Sequence, residues 1–207
     1  MRNWLARSFS LVLLLGLAAP AQAGLAFDAL GGGLGSYSGT GSAGYTFKVN
    51  ASIVVTELNM YAGVGLASAT TPVGIWDSVG TLLTSAVIDN VTPQTTTPSA
   101  GGGNFNGAFI TQIILSPGNY TIAAFGSGAD TARVNPTFLS IPEVTYGIGV
   151  GDAGASLAFP TSSLGFSLLG PSFQATAVPE PSTLTMLAGG TLACIVPIRR
   201  RLATRNR

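Results

Sequence analysis

The residues able to do chemistry in this chain are few, and one type is missing: among 207 residues there is no histidine. Ser–His and Cys–His nucleophilic pairs and histidine-ligated zinc or iron sites are therefore excluded. The single cysteine, Cys194, lies in an apolar run near the C-terminus and reads as a small apolar residue, so residues 24–178 hold no disulfide. No Gly-x-Ser-x-Gly elbow and no Walker loop occurs. The glycines of 31–44 and of Gly147-Ile148-Gly149-Val150-Gly151 follow no dinucleotide-binding spacing and read as loop and bulge formers. For acid–base or metal chemistry there remain seven carboxylates between residues 24 and 178: Asp28, Glu57, Asp77, Asp89, Asp130, Glu143 and Asp152. Glycosidase chemistry would need two of them to meet across a cleft. Asp77, followed by Ser78-Val79-Gly80, is better accounted for as a turn former. Loop carboxylates such as Asp77, Asp130 and Asp152 suit calcium, but no acidic loop of EF-hand spacing is present. The expectation is a protein without catalytic residues or metal ligands and without a cofactor, structural Ca²⁺ being the minor alternative.

The charge inventory narrows the partners. Over the whole chain nine basic residues stand against eight acids, but seven of the nine lie before residue 24 or after residue 178. Residues 24–178 keep only Lys48 and Arg133 against the seven acids, a net charge of −5. Nucleic acid is not expected as a partner, because its affinity rests on clustered Lys and Arg. Charged residues make up only 8% of the chain, against about a quarter in ordinary globular domains, so Ser, Thr, Asn and Gly must keep the surface wet. An aromatic set, Tyr45, Phe47, Tyr61, Trp76, Phe105, Phe109, Tyr120 and Phe125, could hold a sugar-stacking platform, although its alternation along strands favours core positions.

The elements that must position these residues read as strands. Residues 24–44, rich in Gly and Ser, are expected to form a lead-in, and residues 45–177 a sandwich domain. Tyr45, Phe47 and Val49 alternate with Thr46 and Lys48, the pattern of a half-buried strand. Ile53–Tyr61 is rich in β-branched residues, with Val54, Thr56, Leu58 and Met60 on one face. Strands at 73–76 and 82–88 flank the Asp77–Gly80 turn, predicting a hairpin. Residues 92–104 read as a loop. A second hairpin is expected to join 108–115 to 120–125 through Ser116-Pro117-Gly118-Asn119. Further strands are expected near 138–141, 146–150 and 172–178. No window between the two ends has a helical period. Short strands with frequent turn signals predict an all-β, antiparallel β-sandwich of jelly-roll type.

The two ends are of another kind. Arg2 and Arg7, an apolar run from Phe9 to Ala19 and the small-x-small site Ala21-Gln22-Ala23 have the form of a signal peptide over 1–23, with cleavage at Ala23 leaving Gly24 first. At the other end Val178-Pro179-Glu180-Pro181 is held extended, since each proline fixes its own φ and restrains its predecessor. Seventeen uncharged residues follow, 182–198, about 25 Å as a helix and at the short edge of a bilayer span; the membrane segment itself is placed at 183–198. Gly189-Gly190 and Pro197 weaken it, as suits a transient anchor. Arg199, Arg200 and Arg201 open an Arg-rich tail, 199–207, that would stay cytoplasmic.

Pro179-Glu180-Pro181, apolar segment and arginine cluster together resemble the PEP-CTERM sorting signal of Gram-negative bacteria; the likeness covers about thirty residues. The resemblance implies recognition by the membrane enzyme exosortase, cleavage at or near Pro-Glu-Pro, and release or transfer to the surface. Expected partners are exosortase, signal peptidase and the general secretion machinery, the inner membrane transiently, and extracellular polysaccharide. The implied setting is an outer surface or extracellular matrix, with a structural or adhesive role in an exopolysaccharide or biofilm context, or the alternative of a carbohydrate-binding module. An ordinary single-pass anchor would share the tail's physical form. A second resemblance lies in Tyr45-Thr46-Phe47, Val55-Thr56-Glu57-Leu58, Val73-Gly74-Ile75-Trp76-Asp77 with Gly80-Thr81-Leu82-Leu83, and Pro117-Gly118-Asn119-Tyr120-Thr121-Ile122. These are similar to an uncharacterised β-sandwich ectodomain of PEP-CTERM proteins, which implies the fold and carries no catalytic residues.

Overall fold

A computed structural model of the chain describes residues 23–37, 40–63, 68–127 and 130–179. The chain divides into two compact units, 1–176 and 177–207, and the second is described only as far as Pro179. The expected signal peptide up to Gln22, Glu180 and Pro181, the expected membrane segment 183–198 and the arginines of the tail lie outside the described residues. Among those described there is no helix, and hence none long and apolar enough to cross a membrane.

The strands are β1 (Gly24–Leu25), β2 (Phe27–Leu30), β3 (Gly33–Tyr37), β4 (Thr40–Val49), β5 (Ile53–Tyr61), β6 (Thr70–Asp77), β7 (Leu82–Asp89), β8 (Thr95–Pro98), β9 (Asn104–Leu115), β10 (Gly118–Ser127), β11 (Asp130–Val134), β12 (Thr137–Ser140), β13 (Val144–Ala153), β14 (Leu168–Leu169) and β15 (Pro171–Ala177). They form a five-stranded sheet in the order β1-β15-β5-β9-β8, a second in the order β13-β4-β10-β6-β7, and two small sheets, β14-β11-β3 and β12-β2. The protein is all-β with antiparallel sheets, as its turn-punctuated sequence predicts.

The core draws on both five-stranded sheets. Tyr45, Phe47 and Val49 of β4 are buried while Lys48 is exposed, the alternation a half-buried strand requires. Phe173 of β15 meets Phe47 at 5.2 Å between ring centroids, joining the two sheets, and Phe27 of β2 sits edge-on to Tyr45 at 5.1 Å. Each such ring contributes roughly 1.5–3 kcal/mol of transfer free energy when fully buried.

The structure departs from the sequence reading at four places. Residues 24–44 are not a lead-in: they contain β1, β2 and β3 and the start of β4. Gly41 and Gly44 serve close packing, for a Cβ at Gly41 would overlap the Asp152 carbonyl of β13 and one at Gly44 the Ile122 carbonyl of β10. On β5 the core residues are Ile53 and Val55, then Leu58 and Met60, whereas Val54 and Thr56 are half-buried. The register against β9 breaks between Val55, opposite Ile113, and Glu57, opposite Phe109, with three residues of β9 skipped against one of β5, and the core positions of β5 change parity there. The stretch 92–104 carries β8, an edge strand on β9, where Pro98 is tolerated because an edge leaves one side of the strand unpaired. The expected hairpin of β9 with β10 is instead a corner between sheets: β9 pairs with β5 and β8, and β10 with β4 and β6.

The β6–β7 hairpin forms as predicted. Gly80 N–H donates to the Asp77 carbonyl at 3.2 Å, and Asp77 Oδ1 accepts from Val79 N–H at 3.0 Å and Thr81 N–H at 2.8 Å. After β13 the segment 154–163 straps the outer face of the second sheet. Ala158 N–H donates to Ser42 Oγ at 2.8 Å, and the Phe159 ring lies 6.3 Å from that of Trp76, which is thereby buried.

Candidate functional site

Asp77, Asp89 and Asp152 are occupied by groups of their own fold. Asp77 holds its turn, and Asp89 accepts from Val91 N–H at 2.8 Å and Thr92 N–H at 2.9 Å. Asp152 lies on β13 rather than in a loop and accepts from Thr161 N–H at 2.5 Å and Thr161 Oγ1 at 2.9 Å. All three carboxyls are held below the usual aspartate range: Asp77 chiefly by the Thr81 N–H, Asp89 by the Thr92 N–H, and Asp152 by the Ser162 hydroxyl and then the Thr161 N–H. Asp130 opens β11, and its side chain is outside the described part. Among the described residues no three of His, Cys, Asp and Glu gather as a metal centre would require.

Two polar clusters form within the fold. In the first, Asp28 of β2 accepts from Ser99 Oγ at 2.6 Å and Ala100 N–H at 2.7 Å. Arg133 of β11, only 7% exposed, donates to the carbonyls of Gly31 (2.7 Å), Gly102 (2.9 Å) and Gly101. Its guanidinium lies 5.0 Å from the Tyr61 ring centroid, and the Tyr61 hydroxyl donates to the Gly102 carbonyl at 2.8 Å. The loop between β8 and β9 is thus pinned from both sides. Arg133 is paired with backbone carbonyls and a ring rather than with an acid, so it is a fastening of the fold.

In the second cluster Glu57 (5% exposed) and Asn59 (fully buried) project from the same face of β5, and Thr95 reaches them from β8. Glu57 Oε1 accepts from Thr95 Oγ1 at 2.5 Å and from Asn59 Nδ2. Thr95 and Asn59 both stand opposite Gly107 of β9, so the three residues form one row across β8, β9 and β5. A methyl group at 107 would overlap Glu57 Oε1, Thr95 Oγ1 and the Asn59 amide; glycine is what lets them converge. Asn59 Oδ1 is buried without a hydrogen-bond partner.

In the sequence Glu57 is one of seven acids with no role of its own, and neither Asn59 nor Gly107 stands out. The Glu57-x-Asn59 spacing on a strand was the available signal, whereas Thr95 and Gly107 arrive only through pairing. Of the eight aromatics considered for stacking, Tyr45, Phe47, Tyr61, Trp76 and Phe105 are buried, Tyr120 and Phe125 are partly buried or intermediate, and Phe109 alone is broadly exposed at 63%. Burial raises the Tyr45 hydroxyl well above its ordinary range, and it donates to the Pro171 carbonyl at 3.0 Å. Of the residues expected to be processed, Ala23 is exposed, Val178 half-buried and Pro179 exposed; Ala21 lies outside the described residues. The sequence matches no protein-family model and no curated protein.

Proposed function

We propose that the chain is an exported, surface-sorted structural or adhesive protein. Its β-sandwich, jelly-roll-like in the finer reading, is delivered by the signal peptide 1–23 and held transiently at the inner membrane by 183–198. Exosortase then processes it at or near Val178-Pro179-Glu180-Pro181. The observation that carries the reading is the C-terminal sequence: Pro-Glu-Pro, an uncharged membrane-length run, then Arg199-Arg200-Arg201. Two features of the fold support a non-catalytic role. The described aspartates bind their own turns and straps, and the aromatics mostly fill the core.

A carbohydrate-binding module is the alternative. It would be expected to present two or three coplanar aromatics, and of the eight weighed only Phe109 is broadly exposed. The test is fractionation of cells carrying Pro179→Ala, Glu180→Ala and Pro181→Ala together. On this proposal the native protein reaches the surface or medium without its tail, while the variant stays in the inner membrane. Equal distribution of both would reduce residues 178–207 to a plain anchor.

A further inference from the structure

Each five-stranded sheet ends in two edge strands, and an edge offers a row of unpaired N–H and C=O groups to another chain. Among the described residues three of these four edges are guarded. β1 is two residues long, and β8 is four and ends in Pro98. β13 is covered from outside: Gly151 N–H donates to the Ser162 carbonyl at 2.9 Å, and Leu164 N–H to the Gly149 carbonyl at 3.0 Å. β9 runs on past β8, but its register breaks there and Gln94 Oε1 takes the Phe109 N–H at 2.9 Å. The fourth edge, β7, is bare. After a register shift at its start it runs regularly against β6 from Thr84 to Asp89, without Pro, Gly, Lys or Arg.

The pairing says which of its backbone groups face out. Asn90 N–H donates to the Ala69 carbonyl at 2.9 Å, and the same ladder continues through Thr71–Ile88, Val73–Ala86 and Ile75–Thr84. Antiparallel pairs alternate, so Thr84, Ala86 and Ile88 turn their N–H and C=O groups to β6, while Ser85 and Val87 turn theirs away. Among the described residues nothing pairs with them there. Both side chains are exposed, Val87 by 61%.

We propose that β7 is a self-association edge: two copies of this chain pair β7 with β7, antiparallel about a two-fold axis, joining their second sheets into one. Charge selects both the occupant and the direction. Residues 24–178 carry a net charge of −5, so two copies repel over most of their surface. From Ser78 to Pro93, however, the single charged residue is Asp89, which makes β7 a strip along which two such domains can meet. Antiparallel pairing sets each Asp89 against uncharged residues between Thr81 and Ser85 of the other copy; parallel pairing would set the two acids side by side. Each copy uses the edge once, so the contact closes at a dimer. This inference is independent of the sorting proposal.

The experiment uses the full-length chain purified in mild detergent, its mass followed by sedimentation. A strand-to-strand contact lies at the small end of interfaces, so the chain should pass from monomer to dimer over an about hundred-fold range of concentration. Ser85→Pro removes an outward N–H from each copy without touching the β6 ladder. It should weaken dimerisation about ten-fold or more. Ser85→Lys combined with Val87→Lys should abolish the dimer, whereas Ile148→Lys, at an exposed site on β13, should leave it intact. A chain monomeric throughout would overturn the proposal and leave the edge to an extended segment of another protein. A dimer that survives the double lysine variant would overturn it too, placing the contact on another surface or in residues 182–198. Should Ser85→Pro not fold, the double lysine variant decides alone, since it leaves the backbone groups in place: loss of the dimer supports β7 pairing, and an unchanged dimer excludes it.

Discussion

Asp77, Asp89 and Asp152 each accept hydrogen bonds from N–H or hydroxyl groups of the turn or strap they hold, and their pKa values are lowered in consequence. A carboxyl lowered on folding contributes stability above its unfolded pKa, about 3.9 for Asp. That contribution is lost as pH falls through the folded value. With no histidine in the chain, Tm should be nearly flat between about pH 5 and 8 and fall below about pH 4. Asp77→Asn combined with Asp152→Asn should flatten the acid limb, and a limb left unchanged would show that these bonds do not set it. Gly107 makes a sharper residue-scale case. Gly107→Ala forces a methyl into Glu57, Asn59 and Thr95 and should cost about 1–3 kcal/mol or more in urea unfolding. A neutral substitution would mean that the three side chains are not gathered there.

At the scale of elements, local chemistry was legible and partner choice was not. The Asp77-Ser78-Val79-Gly80 signature carries its own hydrogen bonds and its positive-φ glycine (Gly80, φ 88°), so the β6–β7 hairpin could be read directly. Ser116-Pro117 reverses the chain just as plainly, but a reversal does not say whether the next strand stays in its sheet or crosses to the facing one. The irregularity between β5 and β9 was hidden for a related reason: the two-residue period of one strand reads straight through a break in its pairing. The strap 154–163 gave no periodic signal, since single contacts hold it, among them Ser42 Oγ and the Phe159–Trp76 pair. Phe159→Ala should therefore uncover Trp76. In a Trp4→Phe background its emission should shift to the red and Tm should fall, and unchanged emission would show that the strap does not cover the indole.

For the molecule as a whole, composition and turn spacing were enough to read an all-β, antiparallel, non-disulfide domain, because periodicity and turn residues report local conformation directly. The polar site was not readable to the same degree. Glu57 and Asn59 share a strand face by parity, but Thr95 lies 38 residues away from Glu57 and Gly107 matters only once β9 stands between β5 and β8. Gly24, the residue that signal cleavage would leave first, pairs with Ala175 of β15, so the domain's first and last strands are neighbours. On the proposed account the working protein is this domain, trimmed at both ends. Intact mass of the protein recovered from the surface or medium of its native cell tests that most directly. The account predicts a chain beginning at Gly24 and ending at or near Pro179-Glu180-Pro181. A mass that still includes residues 183–207 would contradict it.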